Sequence, residues 1–168
     1  MNFNRGFIII TALVFIILLF YTAIYEEAPE RTRITEIQLF FSDQEAMYLI
    51  PETRKIETED NIYIETLEKL INGPENPNLS RTIPDGTEVL GVYSENSTVY
   101  VDFNQALKIN HWGGSTGERI TIYSIVNTLT QFREIDEVQI MINSEKIETL
   151  VGHLNLRKPL AKDETIIK

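Results

Sequence analysis

The side chains in this sequence that could do chemistry are few, and most of them sit in one short run. His111 and His153 are the only histidines, and neither has a second histidine at i,i+4 or a carboxylate cluster at zinc-ligand spacing. Ser115 stands four residues from His111 and invites a nucleophile–base pair. The strand-to-helix elbow G-x-S-x-G is absent, however, because the residues read Gly113-Gly114-Ser115-Thr116-Gly117. Ser115-Thr116-Gly117-Glu118 fits a capping box instead, with the Ser115 hydroxyl accepting from the N3 amide and Glu118 reaching back to the cap. Gly113, Gly114 and Gly117 precede a helix whose amides could hold an anion, but the run has neither the Walker lysine nor G-x-G-x-x-G spacing. Asp102 and Asn104 flank Phe103 on one side of a strand and could offer two oxygens to a hard cation. Two ligands do not make a site, and a solvated strand face and turn is the expected role of both. His153 reads as a polar side chain at a strand edge. Trp112, the single tryptophan, is either a recognition aromatic or a lid over the core. The run His111, Trp112, Gly113, Gly114 and Ser115 is therefore the candidate binding surface, with no catalytic set, metal site or cofactor expected.

Charge narrows the partners. All 25 acidic residues and 14 of the 15 basic ones lie beyond residue 25, giving that part a formal charge of −11. A phosphate-backbone partner needs a basic stripe, and none is visible, so nucleic acid is not expected. The chain has no cysteine, which excludes disulfides, thiolate metal sites and cysteine-linked lipid. Stability must come from burying a core.

Gly6 to Tyr25 is twenty residues without a charge. At 1.5 Å per residue a helix of that length crosses roughly 30 Å of hydrocarbon. A cleavable signal peptide has a shorter apolar region and small residues at its exit, whereas this segment leaves through Tyr21-Thr22-Ala23-Ile24-Tyr25. Retention as a single transmembrane anchor is the expectation, with residues 1–25 as cytoplasmic tip and anchor, 26–33 as linker and 34–168 as one domain. Lysine and arginine counts near the two ends almost tie. The immediate flanks, Arg5 against Glu26-Glu27, lean towards the domain lying outside the cytoplasm. The linker EEAPERTR reaches at most about 28 Å when extended, which keeps the domain near the membrane surface.

From Ile34 the pattern alternates, with Ile37, Leu39 and Phe41 opposite Glu36 and Gln38, as a half-buried strand requires. A weaker strand is expected through Met47 to Ile50, with Pro51 holding it to an edge or ending it, and the charged segment 52–59 is a candidate continuation. Asp60 is a plausible N-cap for a helix with Ile64, Leu67, Leu70 and Ile71 at helical spacing, stopped by Gly73-Pro74. Ile83-Pro84-Asp85-Gly86 marks a turn. A hairpin follows, Thr87–Tyr93 and Val99–Phe103 about Ser94-Glu95-Asn96-Ser97. A second helix carries Ile122, Ile125, Val126, Leu129 and Phe132, and a strand carries Val138, Ile140 and Ile142. The tail from Thr149 to Leu160 is a candidate last edge strand. This order predicts an α+β fold with two helices packed on a mixed or antiparallel sheet.

Several of these marks occur together in the order of a known family. Leu70-Ile71-Asn72-Gly73-Pro74, Ile83-Pro84-Asp85-Gly86-Thr87, Val99-Tyr100-Val101-Asp102-Phe103, and Ile122 to Leu129 running into Val138-Gln139-Ile140 resemble the GerMN domain of bacterial sporulation and spore-germination proteins. The resemblance covers roughly Ile37 to Leu160. Two departures stand out: Asn143-Ser144 replaces the glycine that commonly follows the last core strand, and a helix stands where many relatives have a lipidated cysteine. The resemblance implies an α+β wedge, an extracytoplasmic location in a Gram-positive, spore-forming bacterium, and no catalytic residue set. Two functions follow as expectations. The first is a non-enzymatic module that docks onto envelope, sporulation or germination proteins, using the His111–Ser115 loop and exposed edge strands. The alternative is a binding module for a small ligand or cell-wall fragment, with Trp112 as its floor.

Overall fold

The computed structural model describes residues 13–17, 33–58 and 61–168. Residues 13–17 form one helical turn with exposed side chains. Most of the expected anchor, the linker before residue 33 and the expected cap Asp60 lie outside the described residues. Among the described residues no helix is long and apolar enough to cross a membrane.

The domain opens with a long antiparallel ribbon. Strand β1 (Arg33–Ser42) pairs with β2 (Leu49–Thr58) without a break, from Arg33↔Thr58 to Ser42↔Leu49. The expected alternation holds, since Ile37, Leu39 and Phe41 are buried while Glu36 and Gln38 are exposed. Pro51 sits within β2 opposite Phe40 and is tolerated because, among the described residues, the other side of β2 meets only a single bridge from Leu49 to Ile167. The charged continuation of β2 also alternates: Pro51, Thr53, Lys55 and Glu57 are exposed, and Glu52, Arg54 and Ile56 turn inward. Asp43 closes the connecting turn, its Oδ1 accepting from the amides of Met47 (2.8 Å) and Tyr48 (3.3 Å).

Helix α1 (Ile62–Asn72) is capped by Asn61, whose side chain accepts from the amides of Tyr63 and Ile64, one residue later than expected. It ends at Gly73, where φ is +90°, a conformation that needs glycine. Beyond it, the inward Glu52 carboxylate accepts from the amides of Asn76 (2.8 Å) and Glu75 (3.2 Å), and Arg54 donates to the Gly73 carbonyl (3.0 Å). One charged pair thus fastens the helix exit to the ribbon. Burial raises the Glu52 pKa, but these amide bonds and Arg54 outweigh it and hold the carboxyl below its usual range.

The second sheet is mixed. Strands β3 (Val89–Glu95) and β4 (Thr98–Phe103) form a hairpin, and β5 (Glu137–Ile142) lies parallel to β4. The two short strands β6 (Glu145–Lys146) and β7 (Leu160–Ala161) share the far edge of β5, one at each end. The hairpin turns on two residues, Asn96-Ser97, tighter than the four expected, and both take positive φ (48° and 61°). Two-residue turns of that hand match strand twist. Asn143-Ser144 makes the same turn between β5 and β6 (φ 49° and 66°), so asparagine and serine do there what glycine commonly does. Asp102 holds it, Oδ1 accepting from the Ser144 amide (2.8 Å) and Oδ2 from its hydroxyl (3.0 Å).

A short helix α2 (Ala106–Ile109) and the long α3 (Ser115–Leu129) connect β4 to β5. Ile122, Ile125, Val126 and Leu129 of α3 are fully buried against Val99, Val101, Phe103, Val138 and Ile140. The other side of α3 is covered too: Ile120 packs with Phe40, Leu49 and Ile166 in a second cluster beneath the ribbon turn. The free edge of β1 is closed by α3 and the residues after it, through Thr128 Oγ1 to the Phe40 amide (3.2 Å) and a two-way pairing of Gln131 with the Gln38 backbone (2.7 and 2.8 Å). The α+β class is as expected, but the strands form two sheets, a two-stranded ribbon and a five-stranded mixed sheet, where a single sheet was expected, and the short α2 adds to the two expected helices.

Candidate docking site

The run His111–Ser115 forms the loop between α2 and α3, and its polar atoms are largely spent on the fold. His111 Nδ1 accepts from the Gly113 amide (2.9 Å), which leaves Nε2 to donate to Thr121 Oγ1 (3.1 Å). Thr121 in turn donates to the Thr82 carbonyl (2.7 Å). Burial pushes the His111 pKa below 6.5 and keeps the ring neutral, against an opposing pull from the Gly117 backbone and Glu118. With both nitrogens engaged, His111 has no lone pair free to activate Ser115, which is exposed.

The expected capping box does not form. The N-cap is Gly114, with φ +80° and no side-chain cap bond, and Ser115 is the first helical residue. Glu118 turns inward, fully buried, instead of back to the cap. Its Oε1 accepts from the amides of Leu150 (2.7 Å) and Val151 (3.1 Å), and its Oε2 from that of His153 (2.7 Å). The side chain in the first turn of α3 thus gathers the loop after β6, and the helix dipole favours its negative charge. His153 takes part only through its amide; its side chain is exposed in a loop, not at a strand edge. Asp102 and Asn104 are committed as well. Besides Asp102's hold on the β5–β6 turn, Asn104 donates to the Gly86 carbonyl (2.9 Å) and accepts from the Ala106 amide (3.2 Å), so no cation site forms there. Among the described residues no group of His, Asp and Glu is placed to hold a metal ion.

Trp112 differs from its neighbours. It is 55% exposed, lies stacked against the His111 ring (centroids 5.1 Å apart, planes at 24°), and rests on Gly117. A Cβ on Gly117 would fall 2.9 Å from Trp112 Nε1. Between the indole and the β1–β2 turn opens a cleft of about 230 Å³, bounded by Asp43, Ala46, Arg81, Gly117 and Ile120 among others. Sequence reasoning placed Trp112 on this surface but missed the facing wall, because Ala46 and Arg81 are distant in the chain. Gly117 was the available signal, since the structure places it in the first turn of α3 instead of before the helix. Two larger depressions, of 340 Å³ between α1 and β3 and 420 Å³ beside β1, have mainly polar rims and no exposed aromatic.

The family model Germane, described as sporulation and spore germination, matches residues 38–148. The chain belongs to the Germane family. The Germane match ends before Leu150, Leu156 and Ile166, all of which are buried in the same domain. No curated protein sequence matches the chain. In shape it is similar to the tandem GerMN domains of the sporulation protein GerM from Bacillus subtilis, at 21% identity and a TM-score of 0.63, covering 78% of this chain. This chain spans 46% of that one, under half its length. The first GerMN domain of GerM alone gives 22% identity and a TM-score of 0.59, covering 79% of this chain and 96% of that one. Identities at this level speak for the fold.

Proposed function

We propose that the chain is a membrane-anchored, non-enzymatic interaction module. Its Germane domain lies outside the cytoplasm and docks onto sporulation, germination or cell-envelope proteins, helping to assemble or hold a complex at the membrane. The observation that carries this reading is the Germane match across residues 38–148. The candidate loop agrees with it, since His111 and Glu118 hold the fold instead of facing a substrate. The uncharged stretch from Gly6 to Tyr25 supports the anchor, and the flanking Glu26-Glu27 the outward orientation. With a linker of that reach, the partner lies within a few tens of Å of the membrane surface.

Proximity labelling from a tag after Lys168 in intact cells tests the reading. Enrichment of envelope or sporulation proteins over a tagged anchor of unrelated sequence is the expected outcome, and no enrichment would defeat it. The alternative, a cell-wall fragment on Trp112, is favoured by the exposed indole. It ranks second because a 230 Å³ cleft is smaller than the roughly 300–1,000 Å³ of small-molecule sites.

A further inference from the structure

We infer that the cleft between Trp112 and the β1–β2 turn takes one large apolar side chain, presented by a partner polypeptide between basic residues. The inference rests on the docking function proposed above and names its contact point.

Gly117 is the first argument. Glycine is a weaker helix former than alanine, by up to about 1 kcal/mol, and Gly117, in the first turn of α3, has a φ outside the region that requires glycine. What it provides is space: a side chain there would collide with the indole. The helix therefore accepts a weaker residue at a position on which Trp112 rests, while the ring stays more than half exposed. An aromatic ring held in place yet left open is pre-organised for contact, since little side-chain freedom remains to be lost on binding.

Size and charge then select the occupant. The cleft is lined on its apolar side by Trp112, Ile120, Gly117 and Ala46, and its 230 Å³ suits a single Phe, Leu or Met side chain better than a multi-ring ligand. The lining carries one acid and one base: Arg81 is paired with Asp85 at 3.0 Å, and Asp43 forms no ion pair among the described residues, its Oδ1 accepting only from the Met47 and Tyr48 amides. With Arg81 already paired, and with a formal charge of −11 beyond residue 25, lysine or arginine beside the anchor is favoured. The β3 edge is a weaker candidate. Its register breaks between Val89 and Gly91 with Leu90 bulged out, a device that discourages strand addition.

The test uses the full chain in phosphatidylcholine vesicles and the peptide acetyl-Lys-Lys-Gly-Phe-Gly-Lys-Lys-amide, read by the emission of Trp112, the single tryptophan. A saturable blue shift is expected, with the Ala-for-Phe peptide about 10- to 100-fold weaker. A Glu-for-Lys peptide should give no saturation. Ser80→Phe, at an exposed position on the cleft wall, should abolish the shift while leaving the circular dichroism and melting curve unchanged. Equal binding of the Phe and Ala peptides, unchanged binding by Ser80→Phe, or saturation by an N-acetylglucosamine tetramer without response to the peptide would each overturn the inference. Proximity labelling separates it from the broader reading. Envelope partners recovered equally from wild type and Trp112→Ala would leave docking standing and remove this contact point.

Discussion

Glu118→Gln gives the sharpest test of what the buried carboxylate does. In the wild type, three backbone amides, from Leu150, Val151 and His153, donate to its two oxygens at 2.7, 3.1 and 2.7 Å. Glutamine keeps the shape and one acceptor. Its best placement keeps the oxygen on Leu150 and Val151 and turns the NH2 towards the His153 amide, so two bonds lose their charge assistance and one donor faces a donor. Bonds to a charged group contribute about 1.5–3 kcal/mol against 0.5–1.5 for neutral ones, and an unsatisfied buried donor costs about 1–3. The sum is about 3–6 kcal/mol, which in a domain of this size lowers the melting temperature by roughly 10–20 °C. Thermal unfolding of the full chain followed by near-ultraviolet circular dichroism measures it. Hydrogen exchange at residues 150–153 should accelerate selectively. A loss under 1 kcal/mol with unchanged protection at those amides would refute the structural role and reopen Glu118 as a functional carboxylate.

Other perturbations separate fold from function. Gly117→Ala should keep or slightly raise stability, by up to about 1 kcal/mol from helix propensity, yet change Trp112 emission because the indole is displaced; unchanged emission would contradict the packing. The lowered His111 pKa makes its stability contribution complete above pH 6.5 and lost as pH falls towards the folded-state value. Wild type should therefore melt lower at pH 5.5 than at pH 7, with a smaller difference in His111→Gln, and equal pH slopes in the two proteins would count against it. Glu52 and Asp163 also have lowered pKa values: burial raises each, but amide bonds and Arg54 outweigh it for Glu52, and Arg119 and Thr165 for Asp163. Their contributions are present above the unfolded carboxyl range and are lost as pH falls through the folded values, so Arg119→Ala should flatten the acid limb of a stability curve. Because the chain has no cysteine, Lys55→Cys offers a single label site, and a membrane-impermeant maleimide should modify it in intact cells if the domain faces outward.

The parts of the fold that were legible in the sequence are those whose cause is local. Period-two burial in Ile37-Leu39-Phe41 and Val99-Val101-Phe103, and the Gly73 and Gly86 punctuation, express one strand or one turn at a time. The length of β2 was harder to see because its inward positions are the charged Glu52 and Arg54, which a hydrophobic period cannot register. Ser115-x-x-Glu118 misled for a related reason. The capping box and the buried carboxylate need the same residue at the same place, and only the loop from Leu150 to His153, more than thirty residues on, decides between them. Trp112 was visible as an oddity, while its cleft needed Ala46 and Arg81 brought from two other loops.

The central claim, that this domain docks a protein through the Trp112 face, is tested most directly by a photo-crosslinking residue in place of Gln44, at the cleft mouth, in the full chain in cells. The account predicts a discrete adduct with an envelope or sporulation protein that Trp112→Ala removes, and none from the same residue at Thr53 on the outward face of β2. An adduct that survives Trp112→Ala, or an equal adduct from Thr53, would contradict it.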